Sequence, residues 1–226
     1  MLLKAAWLIA RKDLCLVMAR GGAWVQSLLL GLLLVFVFSL ALPPGAQATA
    51  QTAATLFWLA SAFCQVLAFN MLYALEDPTQ ARSGLRLAPV PVQAVWFGKT
   101  LCGLLLLLAA QAVFFPALMI FLAQPLGPGW PYFLALLALT DLGMAGLCSL
   151  LGALAPGQAA RESLLSVIIF PVLVPLLLAG IRGGEAAFAT ALPEGLTRWI
   201  GLAAAYDAVF LGAALLLFPF VFGDDR

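Results

Sequence analysis

Long apolar runs alternate with short polar breaks along most of this chain. Six runs are long enough to cross a bilayer, at residues 24–42, 54–75, 95–122, 132–154, 164–181 and 200–222. A helix of about 20 apolar residues covers the ~30 Å of membrane hydrocarbon. Inside that layer every backbone N–H and C=O needs an internal partner, so each run is expected to be helical. The third and sixth are long enough to tilt. The predicted fold class is an all-α polytopic membrane protein. It forms a single transmembrane domain over residues 1–226, with a six-span bundle over 24–222.

Ahead of the first span, residues 1–23 have a different pattern. Leu3, Ala6, Trp7, Ala10, Leu14 and Val17 recur at helical spacing, while Lys4, Arg11, Lys12 and Arg20 add positive charge. This predicts an amphipathic helix lying in the membrane interface, its basic residues against anionic headgroups. The other reading of this stretch is a basic topology signal. The basic start, the apolar run and Ala46-Gln47-Ala48 also mimic a secretory signal. The run exceeds the 7–15 residues usual for one, however, so the first span is expected to be retained.

Charge sets the orientation. With the N-terminus inside the cell, Lys4, Arg11, Lys12, Arg20, Arg82, Arg86, Lys99, Arg161 and Arg226 all fall inside, and only Arg182 and Arg198 outside. That asymmetry predicts cytoplasmic N- and C-termini. Trp24, Trp96, Trp130 and Trp199 fall at expected span ends, as an interfacial aromatic belt would place them. The longest polar break beyond the N-terminal segment, residues 76–99, then lies inside the cell.

Composition narrows the function. The chain is 65% hydrophobic and 9% charged with net charge +1, which fits no soluble domain and offers no basic face for nucleic acid. It contains no histidine, so the commonest metal ligand, haem ligand and general base are all missing. Cys15, Cys64, Cys102 and Cys148 are widely spaced among apolar residues and read as small buried side chains. No HExxH, GxSxG or GxxxxGK(S/T) motif occurs, so the chain is not expected to be an enzyme or to bind a metal. Any ATP-driven work would need a partner chain.

Polar residues inside the spans are the remaining candidates for chemistry. Asp141 in the fourth span and Asp207 in the sixth are either a proton or substrate site or packing hydrogen bonds. Asp207 lies about two turns from the outer end of its expected span, where snorkelling is easy. Asn70 and Gln111 are similar candidates. In the fifth span Pro171 and Pro175 should remove two intrahelical hydrogen bonds, giving either a hinge or a fixed bend. Glu162 is placed favourably near the start of that span. Gly183-Gly184 and Pro193 punctuate residues 182–198, read as a re-entrant hairpin or a simple outer loop.

The loop residues carry a resemblance. Gly84-Leu85-Arg86-Leu87-Ala88-Pro89-Val90-Pro91, then Phe97-Gly98-Lys99, is similar to the loop after the second span of the cytochrome c maturation permease family, also called haem exporter protein B. Asp141-Leu142-Gly143, and Arg161-Glu162-Ser163-Leu164-Leu165 through Pro171 and Pro175, match in order. Before Gly84 this chain has a shorter acidic segment than the family usually carries. The resemblance implies the membrane subunit of an ABC-type complex of the type-2 exporter class, in a bacterial inner membrane. It couples ATP hydrolysis by a cytoplasmic ATP-binding subunit to haem delivery and release of a haem-loaded periplasmic chaperone. It also implies a haem-handling membrane protein, a small single-span subunit and, as the second membrane half, either a homodimer or a pseudo-symmetric partner. Haem would sit on partner proteins, and ATP with Mg on the ATPase. The coupling loop is then 76–94, with Glu76, Arg82, Gly84, Arg86, Pro89 and Pro91 as contact residues and Arg161 and Glu162 as a second contact. The rivals are an ion-coupled secondary transporter using Asp141 and a purely structural assembly subunit.

Overall fold

The computed structural model describes residues 2–19, 22–43, 46–75, 90–154 and 167–223. Among the described residues there are seven long helices and no strand: α1 (Leu2–Ala19), α2 (Gly22–Ala41), α3 (Ala50–Ala74), α4 (Val92–Phe121), α5 (Trp130–Leu154), α6 (Ile169–Phe188) and α7 (Leu196–Gly223). Helices α2 to α7 are each long and apolar enough to span a membrane. The chain therefore is the polytopic all-helical bundle its pattern predicts. By the order of the spans, the connections after α2, α4 and α6 share one end of the bundle, and the breaks after α3 and α5 share the other. The first is called the short-loop end below and the second the basic end.

The helices run longer than their apolar cores. Thr49 caps α3 by accepting from the Thr52 backbone N–H at 3.1 Å, which starts that helix four residues before the apolar run. Pro91 is the N-cap of α4, extended at φ −58° and ψ 136°. The largest change is in the fifth span. Helix α6 continues through Arg182, Gly183 and Gly184 to Phe188, so the start of the expected outer loop is helical. Arg182 pairs with Glu185 one turn on, at 2.8 Å, which lets the helix carry charge here.

Two glycine positions show how closely the bundle is packed. A Cβ on Gly180 would sit 2.6 Å from the Trp58 ring, so α6 lies flat on α3 only with glycine there. Gly183 likewise meets Leu136 of α5. Without a hydrophobic effect between helices in lipid, such small residues allow the close approach that holds spans together. α3 is the most enclosed helix, burying Phe57, Trp58, Phe69 and Leu72. Beside it Phe57, Phe115, Phe133 and Phe188 form one aromatic cluster, with Phe115 stacked on both Phe133 and Phe188 at 5.3 Å. α2 instead presents Leu29, Leu30, Leu33, Phe36, Val37 and Leu40 outward.

Both prolines of the fifth span fall in α6. Pro171 stands third in the helix and Pro175 seventh, where a proline removes one intrahelical hydrogen bond, and α6 runs on past both to Phe188. Val167 and Ile168, just ahead, are π-helical, a second irregularity at the same end.

Candidate functional site

The strongest polar feature is the junction of α1 with the start of α4. α1 turns Ala6, Ile9, Ala10, Asp13 and Val17 onto the bundle, while Leu3 and Trp7 are 78% and 53% exposed. The face on the bundle thus takes Ala6, Ala10 and Val17 from the expected apolar stripe and adds Ile9 and Asp13. The small alanines go against protein, and the larger Leu3 and Trp7 are left for lipid. Contact is close, because a Cβ on Gly98 would lie 2.8 Å from Ile9 Cβ and 2.9 Å from the Ala6 carbonyl oxygen.

One turn of helix carries this contact into an ion pair. Lys99 is fully buried, and its Nζ donates to Asp13 Oδ2 at 3.4 Å. The same ammonium sits 4.5 Å above the Tyr73 ring of α3. Asp13, 3% exposed, also pairs with Lys12 at 2.8 Å. Tyr73 in turn donates to the Ser149 carbonyl of α5 at 2.6 Å. A cation buried ~10 Å along a span is tolerated only with such partners. α1, α3, α4 and α5 are thereby joined at the basic end.

Of the predicted contact residues, Pro91 is placed directly at this junction, as the cap of α4 and acceptor of the Ala94 N–H at 2.8 Å. Glu76, Arg82, Gly84, Arg86, Pro89, Arg161 and Glu162 lie outside the described residues. Asp13 and Lys99 were missed as a pair. Lys99 counts toward the topology charges but lies inside the third apolar run, and a charge there implies a buried partner.

The two span carboxylates do not meet. Asp141 is fully buried and accepts from Gln111 Nε2 of α4 at 2.8 Å, and that amide also reaches Ser61 Oγ of α3 at 3.4 Å. Asp207 lies against Gly143 on another side of α5, because residues 141 and 143 are about 200° apart around a helix. Asp207 is also not a snorkelling residue. α7 starts at Leu196, which puts it about three turns inside, and its carboxylate is buried with neither oxygen hydrogen-bonded. Two smaller expectations also shift. Trp96 is buried and donates to the Gly146 carbonyl at 3.3 Å rather than joining an interfacial belt, and Cys15 is exposed while the other three cysteines are buried.

Six apolar spans, an amphipathic helix docked on them and no nucleotide-binding element among the described residues define a multi-pass membrane component. The chain belongs to the CcmB protein family, which it matches over residues 4–225. It is 26% identical over 213 residues to heme exporter protein B of Rhodobacter capsulatus, covering 91% of this chain and 95% of that one. It is 25% identical over 193 residues to heme exporter protein B of Paracoccus denitrificans, covering 85% and 87%. No solved structure matches.

Proposed function

We propose that this chain is the membrane subunit of an ATP-driven complex that serves haem export for cytochrome c maturation. The observation that carries this reading is the match to the CcmB family along nearly the whole chain, with relatives named heme exporter protein B. The chain lies in the bacterial inner membrane with both termini cytoplasmic. It is not itself an enzyme. A separate cytoplasmic subunit hydrolyses ATP with Mg, and the chain passes that movement to haem delivery and release of a haem-loaded periplasmic chaperone. A haem-handling membrane protein, a small single-span subunit and a second copy of this chain complete the complex.

The α1–α4 junction supports the coupling part of the proposal. The ATPase rests on residues 76–94, through Glu76, Arg82, Gly84, Arg86, Pro89 and Pro91, and on Arg161 and Glu162. A push on this loop arrives at Pro91, where α4 begins. Lys99, two turns on, is tied to Asp13 of α1 and lies over Tyr73 of α3, so three helices receive the same displacement. Pro175 and the π-helical residues before α6 give the second contact a place to bend.

Haem is held by partner proteins. No histidine is available in the chain to ligate its iron, and of the four cysteines Cys64, Cys102 and Cys148 are packed inside the bundle and only Cys15 is exposed. The ion-coupled alternative is weaker, because Asp141 is enclosed and already bonded to Gln111, the arrangement of a packing link. The test is complementation in a bacterium whose own copy of the chain is deleted. This chain should restore haem-stained c-type cytochromes, and R82E/R86E should not. Full maturation by R82E/R86E would overturn the assigned contact, and failure of the unaltered chain in its native host would overturn the function.

A further inference from the structure

Asp141 is the one acid of α5 and lies fully buried near the middle of that helix. Its Oδ1 accepts from Gln111 Nε2 at 2.8 Å, and the same Nε2 reaches Ser61 Oγ at 3.4 Å. Two oxygens of this link are left over. Asp141 Oδ2 and Gln111 Oε1 are both enclosed, and neither meets a hydroxyl or N–H of the described residues. Buried acceptors without donors are costly, above all inside a span.

No charge is placed to compensate an ionised Asp141. α3 has no charged residue, and the only one of α4, Lys99, lies about 18 Å along the helix from Gln111 and is bound to Asp13. Arg182 and Glu185, the charged residues of α6, pair with each other. α7 carries Asp207, which lies against Gly143 on another side of α5, and Arg198 close to its start. A lone carboxylate in such surroundings is strongly unfavourable. The acid thus lacks a counter-ion, and the amide lacks a donor.

One proton answers both deficits. A carboxylic acid and a primary amide each present a donor beside an acceptor, so the two can join through a pair of parallel bonds. The first of these, Nε2–H to Oδ1, is in place. We infer that Asp141 carries a proton on Oδ2 and donates it to Gln111 Oε1, closing a neutral acid–amide pair that locks α4 to α5. The second hydrogen of Nε2 is the one that reaches Ser61, so α3 joins the same lock. Ionisation of Asp141 would set two bare oxygens against each other, so the lock holds only with its proton on. It keeps an acid in mid-span with no cation beside it, and it does not depend on the proposed coupling to an ATPase.

Infrared spectra of the full-length protein in phosphatidylcholine vesicles test this at about pH 8, where exposed carboxyls, with pKa values near ~4, are ionised. Asp141→Asn replaces the O–H donor by an N–H and keeps the shape, and Asp207 is common to both proteins and cancels in the difference. Subtracting the variant's spectrum from that of the unaltered protein should show one protonated-carboxyl C=O band. A carboxylate band in its place would overturn the proton. Gln111→Met takes the amide away, and the acid band should then move to higher frequency because its C=O and O–H lose their partner. An acid band left in the same position would overturn the pair. Exchanging the groups, Gln111→Glu with Asp141→Asn, rebuilds the pair with the acid on α4 and should retain one protonated-carboxyl band. A carboxylate band in that folded exchange variant would equally overturn it.

Discussion

Replacing Asp13 by Asn should release α1 from the bundle. In the folded chain the Lys99 ammonium is enclosed, 3.4 Å from Asp13 and 4.5 Å from the Tyr73 ring centroid. Removing one member of a buried ion pair costs about 3–5 kcal/mol, since the remaining charge keeps its desolvation penalty. The Tyr73 ring still holds the cation, worth roughly 1 kcal/mol or more. A net loss of about 2–4 kcal/mol corresponds to about a 30- to 700-fold rise in the detached population of α1. Val17 reports it, because it is fully buried on the α1 face that contacts the bundle and a cysteine there fits its volume. With Cys15, the exposed native thiol, changed to serine, the rate of maleimide labelling of Val17→Cys measures detachment. Asp13→Asn should raise that rate by the factor above. Asp13→Leu combined with Lys99→Met should restore most of the protection, because an apolar replacement of both partners removes the buried charge. An unchanged rate in Asp13→Asn, or a double variant as loose as the single one, would refute the reasoning.

Other positions give simpler tests. Asp141→Asn keeps an acceptor for Gln111 and should leave cytochrome c maturation near its normal level, measured by haem staining; loss of maturation would instead favour ion coupling through Asp141. Asp141→Leu should lower the protein's thermal stability in detergent, because it leaves the Gln111 amide only its longer bond to Ser61, at a cost of about 1–3 kcal/mol. Gly180→Val would force its side chain into Trp58, so the amount of protein recovered in membranes should fall sharply, whereas Gly201→Val, with open space around it, should change little. The purified chain alone should show no Soret band from stoichiometric haem; such a band would mean that the chain itself holds haem.

Most of the fold could be read from hydrophobic run length, and the failures have physical causes. The six spans are all present because lipid leaves the backbone no alternative to helix. Boundaries erred where polar residues extend a helix, as Thr49 does by capping α3 and Arg182–Glu185 by pairing on α6. Gly183 and Gly184 read as breaks by the rules of soluble chains. In this bundle they are contact points, packed on Leu136 and Ala54. Apolar spacing did not show which side of α1 faces protein: Ala6, Ala10 and Val17 of the expected stripe lie on the bundle together with Ile9 and Asp13 from outside it. The Asp13–Lys99 pair joins residues 86 apart in sequence, a pairing that local spacing does not specify. A lysine inside an apolar run was nevertheless a visible sign that some acid had to reach it. Gln111 was legible as a polar residue in a span, but its bond to Asp141 appears only once α4 and α5 are packed together.

The central claim is that the loop leading to Pro91 receives an ATPase. Affinity purification of the chain from its native membrane in mild detergent, with mass spectrometry of what comes with it, tests this most directly. A stoichiometric cytoplasmic ATP-binding subunit should come with the unaltered chain and be lost with R82E/R86E. Recovery of the chain with no ATP-binding protein, at detergent concentrations that keep the helical bundle intact, would contradict it.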